Sequence, residues 1–105
     1  MALLVIVEGD HEPWLDCPFP HNGGGMGTIG PSTANTFVRI DGNPVIVKAQ
    51  SYQGPDGCGG NAGTNAGSIT RINGTNVVRA GDAGTNGCHA LMGAQAVVQS
   101  FVFSD

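Results

Sequence analysis

One hundred and five residues supply chain for one domain and exclude a catalytic module joined to a binding module. Eighteen Gly and six Pro, together 24 of 105 positions, exclude a helical bundle, since each costs a helix interior about 1 to 3 kcal/mol. Only 11% of residues are charged but 40% are hydrophobic, in short β-branched bursts, and the net charge is -4, which excludes a disordered tail and a nucleic-acid binder and leaves a glycine-rich all-β domain.

In chain order, the opening run Leu3 to Val7 lacks a cationic start and soon meets Glu8, so it fits neither a secretory signal nor a membrane span. The chain is expected to be made in the cytoplasm and to stay soluble. Gly9-Asp10 follows, then Cys17 seven residues after the aspartate, His21 four residues further, and glycines at 23 to 25. Val38 to Val47 aligns with Thr70 to Arg79 at an offset of 32 residues. Asp41-Gly42 and Asn73-Gly74 stand at the centre of these segments between β-branched residues, and both predict a hairpin with a type I′ turn. Each hairpin should present one apolar and one polar face.

After each hairpin a glycine-rich stretch runs to a cysteine: Gly42 to Cys58 is 16 residues and Gly74 to Cys88 is 14. Residues 54–67 and 81–87 are so poor in apolar side chains that they read as loops. Gly81-Asp82 precedes Cys88 as Gly9-Asp10 precedes Cys17. From His89 to Val98 a short helix competes with strand, and Gly93 and Val97-Val98 favour strand at the end. The last run, Ala96 to Phe103, is expected to pair with Leu3 to Val7, so that three units surround one axis. Val45, Val47, Val77, the run Leu3 to Val7 and Phe101 to Phe103 are the expected core and base. With only Ser104 and Asp105 beyond, no fused toxin or hydrolase is expected.

Three cysteines cannot all pair within one chain, so a metal site competes with a disulfide framework. If the three units are equivalent, Cys17, Cys58 and Cys88 end three equivalent loops and converge on the axis. Zinc suits thiolates mixed with imidazole, with iron as the rival. Cys17, His21, Cys58 and Cys88 form the first choice of four ligands. His89 is the substitute, because adjacent Cys88 and His89 seldom reach one ion together. The alternative is that the thiols behave as small buried hydrophobes and that His21 and His89 are solvated. His11, beside Glu12, reads as a surface histidine.

The order of a cysteine or histidine with Gly-Gly, a strand, an Ile-(Asp/Asn)-Gly turn, a second strand and Gly-Asp resembles the PAAR-repeat family. His21-Asn22-Gly23-Gly24, Ile40-Asp41-Gly42-Asn43-Pro44-Val45 and Cys58-Gly59-Gly60 carry the likeness, together with the run from Ile72-Asn73-Gly74 to Ala80-Gly81-Asp82. The resemblance implies a metal-tipped cone, a single domain over residues 1–105, that caps the trimeric β-helical spike of a contractile phage tail or type VI secretion machine. It implies one tip per trimer, transient contact with the target membrane, assembly into a virion tail, baseplate or secretion spike, and neither nucleic acid nor a small-molecule substrate. Zinc near the apex maps onto His21, Cys58 and Cys88 most directly. The Pro-Ala-Ala-Arg tetrapeptide is absent: Pro44-Val45-Ile46-Val47 and Asn76-Val77-Val78-Arg79 stand in its places, and Lys48-Ala49-Gln50 replaces Gly-Asp after the first.

Two other classes are open to the residues. A small zinc hydrolase would use Asp16, Asp56 or Asp82 as a base, but thiolate-rich zinc is generally a closed structural site, so no enzyme is expected. A metal-free glycine-rich β-solenoid serving as an interaction domain is the other.

Overall fold

Asp41 and Asn73 adopt φ of 52° and 50°, and Gly42 and Gly74 follow at 82° and 80°, the two successive left-handed positions that a type I′ turn requires. Both hairpins are therefore formed. The computed structural model describes residues 2–14, 25–53, 59–86 and 91–105. The described residues are all-β, with no helix among them. Their elements are β1 (Leu3–Leu4), β2 (His11–Trp14), β3 (Gly25–Ile29), β4 (Arg39–Ile40), β5 (Asn43–Pro44), β6 (Gln50–Gln53), β7 (Gly59–Ala62), β8 (Arg71–Ile72), β9 (Thr75–Asn76), β10 (Thr85–Asn86) and β11 (Phe103–Ser104).

The hairpins β4–β5 and β8–β9 have a counterpart made from the chain ends: β1 pairs antiparallel with β11, Leu3 opposite Ser104 and Leu4 opposite Phe103. Each of the three is followed by a three-residue edge, at 5–7, 45–47 and 77–79. Bridges join the first residue of each edge to the last of another: Val45 to Val7, Val77 to Val47 and Val5 to Arg79. The edges thus close head to tail. Their middle residues complete a cycle of backbone hydrogen bonds, Ile6 N–H to Val78 O, Val78 N–H to Ile46 O and Ile46 N–H to Ile6 O, each 2.9 Å. A second cycle runs from Glu8 N–H to Pro44 O, Lys48 N–H to Asn76 O and Ala80 N–H to Leu4 O, each 2.8 Å.

Successive residues of an extended edge point to opposite faces, so the closed ring has core on both sides. Ile6, Ile46 and Val78 pack with Ile29, Ala62, Ala66 and Ala94 on one. Val5, Val7, Val45 and Val77 pack with Ile40, Ile72 and Val102 on the other. The expectation of one apolar and one polar face therefore fails along these edges: Ile46 and Val78, alternating with the expected core valines, are as fully buried as they are. Phe101 and Phe103, expected in the core or base, are 62% and 55% exposed.

Beyond the ring lies a five-stranded sheet in the order β10-β7-β6-β3-β2. It is closed by residues 91–95: Leu91 bridges Trp14 and Gln95 bridges His11, while Ala94 exchanges backbone hydrogen bonds with Gly81 and Asp82, just ahead of β10. Two stretches expected as loops contain strands of this sheet, β7 and β10. Their backbones can approach closely where side chains are missing. A Cβ on Gly84 would collide with the carbonyl of Asn61, and Gly63, at φ 59°, lies against Val78. Of the run His89 to Val98, where helix was weighed against strand, the described residues 91–98 contain no helix: Leu91 and Gln95 form single bridges, and Val97-Val98, favoured as strand, instead donate both N–H groups to Asp10 Oδ1.

Polar side chains repeat with the same periodicity. Buried Asn35 donates to Val38 O and Val45 O (both 2.9 Å), and its oxygen accepts from the N–H groups of Phe37 and Val38. Buried Gln99 does the same with Val102 O and Val5 O, and with Phe101 and Val102 N–H. Ser68 Oγ donates to Thr70 O and Val77 O. These side chains satisfy backbone groups left over where each hairpin joins the ring. The residues exposed beside them, Phe37, Ile69 and Phe101, repeat likewise.

The departure Lys48-Ala49-Gln50 keeps the geometry of Gly-Asp. Ala49 takes φ 67°, where Gly9 and Gly81 take 95° and 93°, and its N–H bonds Ala62 O as theirs bond Ile29 O and Ala94 O. A Cβ in the left-handed region is strained. Ala49→Gly is therefore expected to raise stability by about 0.5 to 1 kcal/mol, net of the entropy glycine adds to the unfolded chain. Urea denaturation of the two proteins measures it.

Candidate functional site

The two sides of the ring carry two candidate sites. On the hairpin side lies a cavity of about 320 Å³. Val5, Val45 and Val77, the first residue of each edge, line it together with Val38, Thr70 and Val102, which occupy equivalent hairpin positions. Further out stand Ile40, Ile72 and Ser104. One of these three triples is wholly apolar and each of the other two carries a single hydroxyl residue, Thr70 or Ser104; all three follow the threefold pattern of the ring. One equivalent set of strand positions outside them is Arg39 (opposite Pro44), Arg71 (opposite Asn76) and Phe103 (opposite Leu4).

On the opposite side the closed sheet ends. Trp14 is paired with Gly25 and bridged to Leu91, Gln53 is paired with Gly59, and Asn86 with Gly60, so the strand ends leave the sheet at the edge away from the ring. From those ends spring residues 15–24, 54–58 and 87–90. The expected ligands Cys17, His21, Cys58, Cys88 and His89 belong to these three segments and lie outside the described residues. Asp16 and Asp56 lie outside them too. Among the described residues no group of three or more His, Cys, Asp and Glu is placed to hold a metal ion.

Of the other residues singled out in the sequence, His11 is half-buried, its backbone paired with Thr28 and Gln95. Asp82 accepts the Arg79 N–H at 2.7 Å and lies 3.7 Å from Arg79 Nε, so its described contacts are those of a turn cap.

Glu12 was not distinguishable in the sequence from a surface acid. In β2 it is fully buried; one oxygen accepts the Gly93 N–H at 2.8 Å and the other has no hydrogen-bond partner among the described residues. Burial pushes its carboxyl up from the ordinary 4.5 to about 7, against the smaller lowering by the Gly93 N–H. The fold thus favours the neutral acid. That contribution is fully present below pH 4.5 and is lost as pH rises through about 7, a change of about 3 kcal/mol. Glu12→Gln is expected to remove this slope, leaving the variant close to the parent near pH 5 and clearly more stable near pH 8. Urea titrations at the two pH values check it; parallel pH profiles would contradict it.

Comparison with protein-family models, with curated proteins and with solved structures gives no match for this chain.

Proposed function

We propose that this chain is a metal-stabilised conical tip that caps the trimeric β-helical spike of a contractile injection machine, a phage tail or a type VI secretion-like apparatus. The observation that carries the reading is the ring: one asymmetric chain repeats its hydrogen bonds threefold about an axis, with an apolar cavity on one face. A single protein so built can meet a threefold partner end-on, which is heterologous capping of a symmetric assembly. Principal extents of 37 × 26 × 23 Å give the elongation that a tip requires.

The job needs no catalysis. A contracting sheath supplies the work, and the tip has only to resist deformation until the target envelope yields. The cyclic hydrogen bonds and the closed sheet cross-link strands distant in sequence, which opposes local opening. Bound zinc, or iron in its place, would tie the three segments beyond the sheet into one point. Cys17, His21, Cys58 and Cys88 would hold it, with His89 as the substitute. The likeness of the motifs around Gly42, Gly74 and Gly81 to PAAR repeats supports the same reading.

Native mass spectrometry of the chain mixed with a cognate trimeric β-helical spike protein tests the proposal. One chain per trimer is expected. Absence of any complex at micromolar concentrations, or three chains per trimer, would overturn it.

A further inference from the structure

Asp41-Gly42 and Asn73-Gly74 form the turns of two equivalent hairpins, alike in backbone and different in what restrains them. In the first, Arg39 donates to Thr36 O and Gly42 O at 3.0 Å each, and the amide of Asn43 donates to Asp41 O at 3.2 Å. In the second, Arg71 reaches Gly74 O only at 3.5 Å, and Thr75, in the place of Asn43, has no amide to offer Asn73 O. Asn73 and Gly74 are both exposed. Neither the Asn73 side chain nor the Gly74 N–H has a hydrogen-bond partner among the described residues. Apart from its chain neighbours, nothing lies within 4 Å of the place a Cβ on Gly74 would take.

We propose that Asn73 is a site of spontaneous deamidation through a succinimide in the folded protein, and that the weaker restraint on its turn is what makes it reactive. The Gly74 nitrogen gives its proton to hydroxide and attacks Asn73 Cγ. The new N–C bond closes a ring as the Cγ–Nδ2 bond breaks, and the leaving nitrogen takes a proton from water and departs as ammonia, which regenerates hydroxide. Water then opens the ring at either carbonyl, giving aspartate or, with the main chain rerouted through the β carbon, isoaspartate. Glycine suits the step because no side chain shields its nitrogen or opposes the rotation that the step requires. That rotation is about the Cα–C bond of residue 73, and it swings the residue's own carbonyl out of the type I′ turn. In the first hairpin the Asn43 bond to Asp41 O opposes this swing, and Thr75 supplies no such bond in the second. Aspartate at 73 reproduces the first hairpin, whose Asp41 takes nearly the same φ, so that product leaves the fold unchanged. Isoaspartate adds a main-chain atom to a two-residue turn and disturbs the pairing of Ile72 with Thr75 beside the cavity. The chemistry is independent of any partner.

The test is incubation of the folded parent, Asp41→Asn and Thr75→Asn proteins at mildly alkaline pH, then trypsin digestion and mass spectrometry with fragmentation that separates isoaspartate from aspartate. Cleavage after Arg39, Lys48, Arg71 and Arg79 places the two turns in separate peptides. Each substitution brings in the residue that the sister hairpin already carries at that position, and melts before incubation establish that the variants are folded. Residue 73 of the parent is expected to lose its amide, with isoaspartate as the larger product. In Asp41→Asn the introduced amide is expected to react roughly fivefold more slowly than Asn73 of the same chain, and Thr75→Asn to slow Asn73 by a similar factor, the weight of one net hydrogen bond. Retention of the Asn73 amide over several weeks, aspartate without isoaspartate, equal rates at the two turns, or no slowing by Thr75→Asn would each overturn the proposal.

Discussion

Replacing Asp10 by alanine is expected to destabilise the protein by about 4 kcal/mol, because a buried carboxylate is lost and three backbone donors are left without an acceptor. Asp10 is fully buried. One oxygen accepts the Val7 N–H at 2.7 Å; the other accepts Val97 N–H at 2.7 Å and Val98 N–H at 2.8 Å. The residue therefore ties the first ring edge to a stretch nearly ninety positions away, and its loss loosens the closure that the C-terminal run provides. Asp10→Asn keeps one acceptor oxygen but adds two donors, so an intermediate loss of about 2 kcal/mol is expected. Gln50 shows that a neutral acceptor serves at the equivalent position, where its oxygen takes Thr33 N–H at 3.1 Å and its amide donates to Pro31 O at 3.0 Å. Equilibrium urea denaturation gives the values, and a loss below about 1 kcal/mol for Asp10→Ala would contradict the role assigned to it.

The second large effect is expected on removing metal from the purified protein. Structural zinc contributes on the order of 10 to 16 kcal/mol in small peptides. Here the ring and closed sheet have cores of their own, so part of the fold should survive without the ion. Stripping with a strong chelator is expected to lower the melting midpoint by roughly 10 to 20 °C, the shift that a few kcal/mol produces in a domain near this size. Restoring zinc should restore the midpoint. A melt insensitive to both steps would place the metal outside the folding of this chain.

Much of the scaffold was legible in the residues because it is encoded locally. Asp41-Gly42 and Asn73-Gly74 demand left-handed turns and adopt them. The pairing of the two termini followed from the repeat, since a unit lacking its first strand needs one from elsewhere, and β11 supplies it. The closed sheet was hidden because β7 is Gly59-Gly60-Asn61-Ala62, with no strand-preferring side chain, and β10 is only Thr85-Asn86, where one β-branched residue beside Asn gives no readable alternation; the strand character of both comes from partners distant along the chain. Ile46 and Val78 were missed because a period of two assigns one face to solvent, whereas a closed ring has no solvent face along its edges. Asn35, Ser68 and Gln99 have no local signal; their equivalence emerges only once Val45, Val77 and Val5 are known to be equivalent. Glu12 needed its burial to be seen.

The account turns on whether residues from the three segments at 15–24, 54–58 and 87–90 hold one ion between them. Zinc-edge X-ray absorption on the protein as purified, with elemental analysis of the same sample, measures this most directly. One zinc per chain is expected, or iron at its own edge, with a first shell of sulfur and nitrogen. A metal-free protein whose Cys17, Cys58 and Cys88 thiols all react at once with a thiol reagent would contradict it.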